Sequence, residues 1–124
     1  MNDDDYRAAI ACGPLLPRVL DRLLGALAAR ADLSVDRLSD LSLVSDAVSA
    51  AAEESVANGR LCVLAIPGQG GLALTFGPFV PGGAERIRRA GGLPGGSNLF
   101  STVAREVAVE ADGDTEHLTL RIGR

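Results

Sequence analysis

Lysine and tryptophan are both missing from this 124-residue chain, and all twelve of its basic residues are arginine. Without lysine there is no Schiff-base nucleophile and no phosphate-binding loop ending in Gly-Lys-Ser. One tyrosine and three phenylalanines leave few aromatic faces for stacking bases or sugars. Cys12 and Cys62 are the two thiols, neither in a CxxC pair, and both are expected to be reduced, buried, small apolar side chains. The single histidine, His117, has no Ser, Cys or Asp at a recognisable catalytic spacing and reads as an exposed strand residue. Positive charge is scarce as well: a net charge of −4 repels a phosphate backbone, which excludes nucleic acid as a partner. No apolar run approaches the roughly 20 residues that cross a bilayer, so no membrane contact is expected. The start, Met-Asn-Asp-Asp-Asp-Tyr-Arg, is acidic where a signal peptide is basic, and a cytoplasmic protein is expected.

What is present is ordinary for one globular domain: 47% apolar residues, many of them alanine, and 23% charged ones exclude a disordered tail or a coiled coil. Residues 1–9 read as a flexible acidic leader and 10–124 as a single domain. Pro14 and Pro17 fit the first turn of a helix, whose early N–H groups have no partner to lose. Leu16, Leu20, Leu23, Leu24, Leu27 and Ala31 then recur at three- and four-residue steps to about residue 31. Ser34 is a candidate N-cap with Asp36 in the first turn, opening a longer helix with apolar positions at Leu38, Leu41, Val44, Val48, Ala51, Ala52 and Val56. Asn58-Gly59 supplies its stop.

Residues 61–66, rich in strand formers and bounded by Gly59 and Pro67, predict a buried strand. The loop 67–71 turns into a second strand at 72–76. The segment 77–98 changes to glycine and proline and predicts a mobile stretch with a short helix near 84–90. A short apolar-faced helix follows from Leu99, Phe100, Val103 and Ala104. Asp112-Gly113-Asp114 then closes a hairpin between 106–110 and a last strand alternating Leu118, Leu120 and Ile122. Alternating strands with one apolar face need helices on that face. The prediction is an α+β two-layer sandwich, with helices packed on one face of a mixed, mostly antiparallel sheet.

Three segments bear on function. The long helix carries Leu43-Val44-Ser45-Asp46-Ala47-Val48-Ser49-Ala50-Ala51, with Asp46 and Ala50 one turn apart, hence on one face. The second strand runs Ala73-Leu74-Thr75-Phe76-Gly77-Pro78-Phe79. Gly91-Gly92-Leu93-Pro94-Gly95-Gly96-Ser97-Asn98-Leu99 precedes an apolar helix. With the element order, these resemble over residues 10–123 the GHKL (Bergerat-fold) ATP-binding domain of bacterial anti-sigma-factor serine kinases. In that family the long helix bears a Glu that helps activate the attacking group and, four residues later, an Asn that ligates magnesium. The second central strand ends in an Asp-x-Gly that accepts the adenine amino group, and a Gly-x-Gly-Leu opens a helix whose free N–H groups hold phosphate oxygens.

The resemblance implies a degenerate site. Asp46 takes the carboxylate position as the catalytic candidate, while Ala50 at the metal-ligand position leaves no metal site. Gly77 alone remains near the adenine aspartate, which makes it a cofactor-binding candidate too, and Phe76 or Phe79 stands to fill the adenine space. The glycine box survives, making Gly95, Gly96, Ser97 and Asn98 the cofactor-binding candidates, although glycine loops also serve simply as tight turns. An alternative register, Glu54 as catalytic carboxylate with Asn58 as metal ligand, has the right residue types and spacing. Arg86, Arg88 and Arg89 could meet a partner's carboxylates or a phosphate, or simply face solvent. The expectation is a protein-binding regulatory module of bacterial transcription control that needs no cofactor. Its implied partner is a sigma factor or an anti-anti-sigma protein, and it is a homodimer candidate. An active ATP-dependent serine kinase is the alternative, using ATP and magnesium if the ancestral site is retained.

Overall fold

The computed structural model describes residues 4–68 and 70–124. The chain forms β1 (Tyr6–Ala11), α1 (Leu16–Arg30), α2 (Val35–Ser55), β2 (Arg60–Gly68), β3 (Gly71–Phe79), α3 (Gly83–Ala90), a 3-10 turn (Pro94–Gly96), α4 (Leu99–Val103), β4 (Glu106–Asp112) and β5 (Thr115–Gly123). Four helices pack on one face of a five-stranded open sheet of order β1-β2-β3-β5-β4. All four pairings are antiparallel, which corrects the mixed sheet expected from sequence. Two hairpins account for the pairs β2–β3 and β4–β5. β1 and β2 are joined through two helices rather than one, so the chain reverses once more than in a parallel crossover.

Residues 6–9, expected in the leader, belong to β1 and pair with β2 from Tyr6↔Ala65 to Ala11↔Arg60. Their alternation is visible once paired: Tyr6, Ala8 and Ile10 are half-buried, while Arg7, Ala9 and Ala11 are exposed. Alanine is a weak strand former, so this strand owes its existence to pairing with β2 more than to local preference. Leader residues 1–3 lie outside the described residues. So does Gln69, the centre of the expected loop 67–71. Within that span Gly68 already pairs with Gly71. A Cβ on Gly71 would overlap the Ile122 carbonyl of the neighbouring strand, so glycine alone lets β3 and β5 approach there.

The helices form as their spacing dictates. Pro17 sits in the first turn of α1, and Leu16, Leu20, Leu24 and Leu27 are buried on one side. Ser34 caps α2, its Oγ accepting from the Arg37 N–H at 3.3 Å. Leu41, Val44, Val48 and Ala52 carry α2 onto the sheet. They meet Leu61, Val63 and Ala65 of β2, Leu72, Leu74 and Phe76 of β3, and Leu118, Leu120 and Ile122 of β5 in one core. Burying each such side chain stabilises the fold by about 1.5–3 kcal/mol. α2 stops at Ser55, before the expected Asn58-Gly59, because Val56 turns extended and bridges to Phe79. Among the described residues the outer face of the sheet carries no helix and presents Leu64, Ile66, Ala73, Thr75, His117, Thr119 and Arg121. Among the described residues no helix is long and apolar enough to cross a membrane.

Candidate functional site

Because α2 buries Val44, Val48 and Ala52, its opposite side turns outward at Leu43, Asp46 and Ala50, which are all exposed. The chain from the end of α3 into α4 returns beside that face. Together they bound a groove of about 270 Å³ lined by Leu43, Asp46, Ala47, Ala50, Ala90, Gly91, Gly92, Leu93 and Leu99. Asp46 carries the one polar side chain of that lining, and no arginine or histidine of the described residues pairs with it. Asp46 and the glycine segment, far apart in sequence, therefore meet, but in an apolar setting.

The other candidates lie elsewhere. Gly95, Gly96, Ser97 and Asn98 do not line the groove. Gly95 and Gly96 have φ of 86° and 88°, the left-handed conformation that glycine adopts without strain, and they turn the chain away through the 3-10 turn. The loop closes on itself: Leu93 N–H donates to the Ser97 carbonyl at 2.9 Å and Leu99 N–H to the Gly91 carbonyl at 2.7 Å. Asn98 is the N-cap of α4, its Oδ1 accepting from the Phe100 N–H at 2.9 Å, while its Nδ2 donates to the Arg88 carbonyl at 2.8 Å. The first two N–H groups of α4 are thus engaged within the chain. These bonds replace the mobile stretch expected at 77–98 with a pinned one. Gly91 has its own packing reason, since a Cβ there would come within 2.7 Å of the Phe100 ring.

Gly77 is buried inside β3, paired with Cys62, and a Cβ on it would lie 2.7 Å from the His117 ring. It makes room for His117, which is half-buried rather than exposed for that reason. The Glu54/Asn58 pair does not share a helical face, because α2 ends between the two residues. Asn58 Oδ1 accepts from the Arg60 N–H at 3.3 Å in the turn into β2, and the Glu54 carbonyl accepts from Arg86 Nη1 at 2.8 Å.

Between α2 and the start of α3 the structure is closed. The Ser55 carbonyl accepts from the Val80 N–H at 2.8 Å, and Ala57 N–H donates to the Pro78 carbonyl at 2.9 Å. Gly83 fits between Ser55 and Phe79, where a Cβ would meet the Ser55 carbonyl at 2.7 Å. Phe76, Phe79 and Phe100 are fully buried. Sequence reasoning missed Leu43 and Leu93, 51% and 39% exposed, which make the groove's apolar rim; a leucine off the buried stripe of α2 was the available signal.

Cys12 and Cys62 are free and half-buried, Cys62 on the outer side of β2, where the strand's alternation puts it. Burial, with Glu53 nearby, pushes the Cys12 thiol pKa up and keeps it protonated at neutral pH. Among the described residues no three His, Cys, Asp or Glu side chains gather as a metal-binding group. Neither a protein-family model nor a curated protein matches the sequence.

Proposed function

We propose that this domain is a catalytically reduced relative of the anti-sigma-factor serine kinases, acting by binding a protein partner in bacterial transcription control. One observation carries the reading: the groove between α2 and the Gly91–Leu93 backbone has a carboxylate, Asp46, at the position that the resemblance gives to the catalytic one, and is otherwise apolar. Ala50, at the position of the magnesium ligand, offers no oxygen. Gly77, the residue that the resemblance puts near the adenine aspartate, has no side chain to accept from the adenine amine. The leading N–H groups of α4 already have acceptors.

Phosphoryl transfer depends on positioning and on neutralising phosphate charge, and a lone carboxylate beside triphosphate does the reverse. Partner binding needs none of these groups. The partner class that goes with this reading is a sigma factor or an anti-anti-sigma protein, in a cytoplasmic setting.

The test is a thermal melt of the full chain with and without millimolar ATP and magnesium, paired with affinity capture from the source cell. A ligand specific for the folded form raises the midpoint by mass action, by about 2.7 kcal/mol at a hundredfold excess over Kd. The expected outcome is an unmoved midpoint, with a sigma-type or anti-anti-sigma-type protein captured. A clear rise, together with phosphoryl transfer that Asp46→Asn abolishes, would return the domain to the active kinases. Capture of neither partner type would remove the regulatory reading.

A further inference from the structure

β1 ends the sheet on one side and β4 on the other, and the two edges are finished differently. Cys12 N–H donates to the Gly59 carbonyl at 3.0 Å, continuing the β1–β2 register. Backbone groups alternate in direction along a strand, so those of Tyr6, Ala8 and Ile10 point to β2 and those of Arg7, Ala9 and Ala11 point away from it. Among the described residues no strand pairs with that outer row. β4 is guarded by the exposed carboxylates of Glu106, Glu110 and Asp112, and pairing with itself would set these acids against one another. β1 has no such guard: Arg7 is its one charge, and Ala8, Ala9 and Ala11 are small.

A second feature lies beside the open edge. α1 packs against β1 and α2, and α2 goes on to α3 and α4, so α1 is the outer helix of its layer on the β1 side. Asp21 marks the flank that faces α2, its Oδ1 accepting from Ser42 Oγ at 2.8 Å. By the helical period Leu15, Val19 and Ala26 fall on the opposite flank, which overlooks the β1 edge. Leu15 is 66% and Val19 43% exposed. An unpaired strand edge and an exposed apolar strip thus run side by side.

We infer that this edge joins two copies of the chain, β1 pairing antiparallel with β1 across a two-fold axis through Ala9. A second copy is the occupant because the strand complements itself. Pairing about Ala9 sets Arg7 opposite Ala11 on the outer face, so no like charges meet there. On the helical face it sets Ala8 opposite Ile10, where both are half-buried and gain cover. The same axis, perpendicular to the sheet, brings the exposed flanks of the two α1 helices together. Asp4, just before β1, comes beside the first turn of the other copy's α1, where the helix dipole and Arg18 favour a carboxylate. This interface is independent of the Asp46 groove and of the function proposed above.

The experiment is analytical ultracentrifugation of the full chain from micromolar to millimolar concentration, with far-UV circular dichroism of each variant. A concentration-dependent dimer is expected. Ala9→Pro removes an N–H that the monomer does not use, and edge strands accept proline, so the fold should survive while the dimer Kd rises by about tenfold or more. Val19→Glu, on the exposed flank of α1, should weaken the dimer as well, and it decides the matter if the proline variant loses its fold. Ile66→Glu, on the outer face of the sheet, should leave the dimer unchanged. Three results overturn the assignment: a monomer at every concentration, a dimer that a folded Ala9→Pro or Val19→Glu variant leaves unchanged, or a dimer broken by Ile66→Glu.

Discussion

Two regions along α2 were built from similar material and ended differently. At its C-terminal end, Ser55, Phe79 and Gly83 close against one another so tightly that a single added carbon on Gly83 has no room. Two turns earlier, Asp46 and Ala50 face Gly92 and Leu93 across an open groove. Both regions pair α2 with a glycine-bearing segment at the start or end of α3. In the closed one, a glycine is the means by which backbones touch. In the open one, Gly92 leaves space beside exposed leucines. A glycine in sequence therefore signals either contact or clearance, and only the opposing surface decides which.

If the closed junction is what holds α3 to the sheet, removing its largest side chain should have the greatest effect. Phe79→Ala is expected to cost about 3–5 kcal/mol, a large fraction of a typical domain's stability, and to lower the thermal midpoint by more than about 10 °C. Gly83→Ala comes next. Alanine favours a helix by about 1 kcal/mol over glycine, but its Cβ would lie 2.7 Å from the Ser55 carbonyl and 2.8 Å from the Phe79 Cβ. Neither contact is the movable end of a side chain, so the clash should win, with a net loss of about 1–3 kcal/mol by urea denaturation. A Gly83→Ala protein as stable as the parent would mean that the junction is looser than described.

The same contrast explains what was legible in the sequence. The two long helices were, because Leu16, Leu20, Leu24 and Leu27 and then Leu41, Val44 and Val48 repeat at helical steps, and Ser34 marks an N-terminus locally. The β4–β5 hairpin was too, through Gly113 in its turn. β1 was hidden because its alanines carry little strand preference and its partner, β2, lies some fifty residues downstream. At the groove, the shared face of Asp46 and Ala50 followed from the helix period, whereas the approach of Gly91–Leu93 is tertiary and leaves no local mark. Asn98, a cofactor-binding candidate by the resemblance, caps α4 in the structure. Gly95 and Gly96 could not be sorted between turning and ligand binding, since both uses need the same freedom from a Cβ.

The smallest effect expected is also the sharpest test of the open region. Asp46 is exposed, unpaired and in the middle of α2, too far from either end for the helix dipole to favour its charge. Alanine is the better helix former there, by up to about 0.7 kcal/mol. Asp46→Ala should therefore leave stability unchanged or raise it by about 0.5 kcal/mol, a midpoint shift of roughly 2 °C upward. It removes a charge that nothing in the fold uses, so its cost should stay flat with salt. A loss above about 1 kcal/mol, fading as ionic strength rises, would mean that a cation holds the carboxylate in the folded protein. The groove would then be a structural contact like the junction at Gly83, and the reading of Asp46 as a retained remnant of a catalytic position would fall with it.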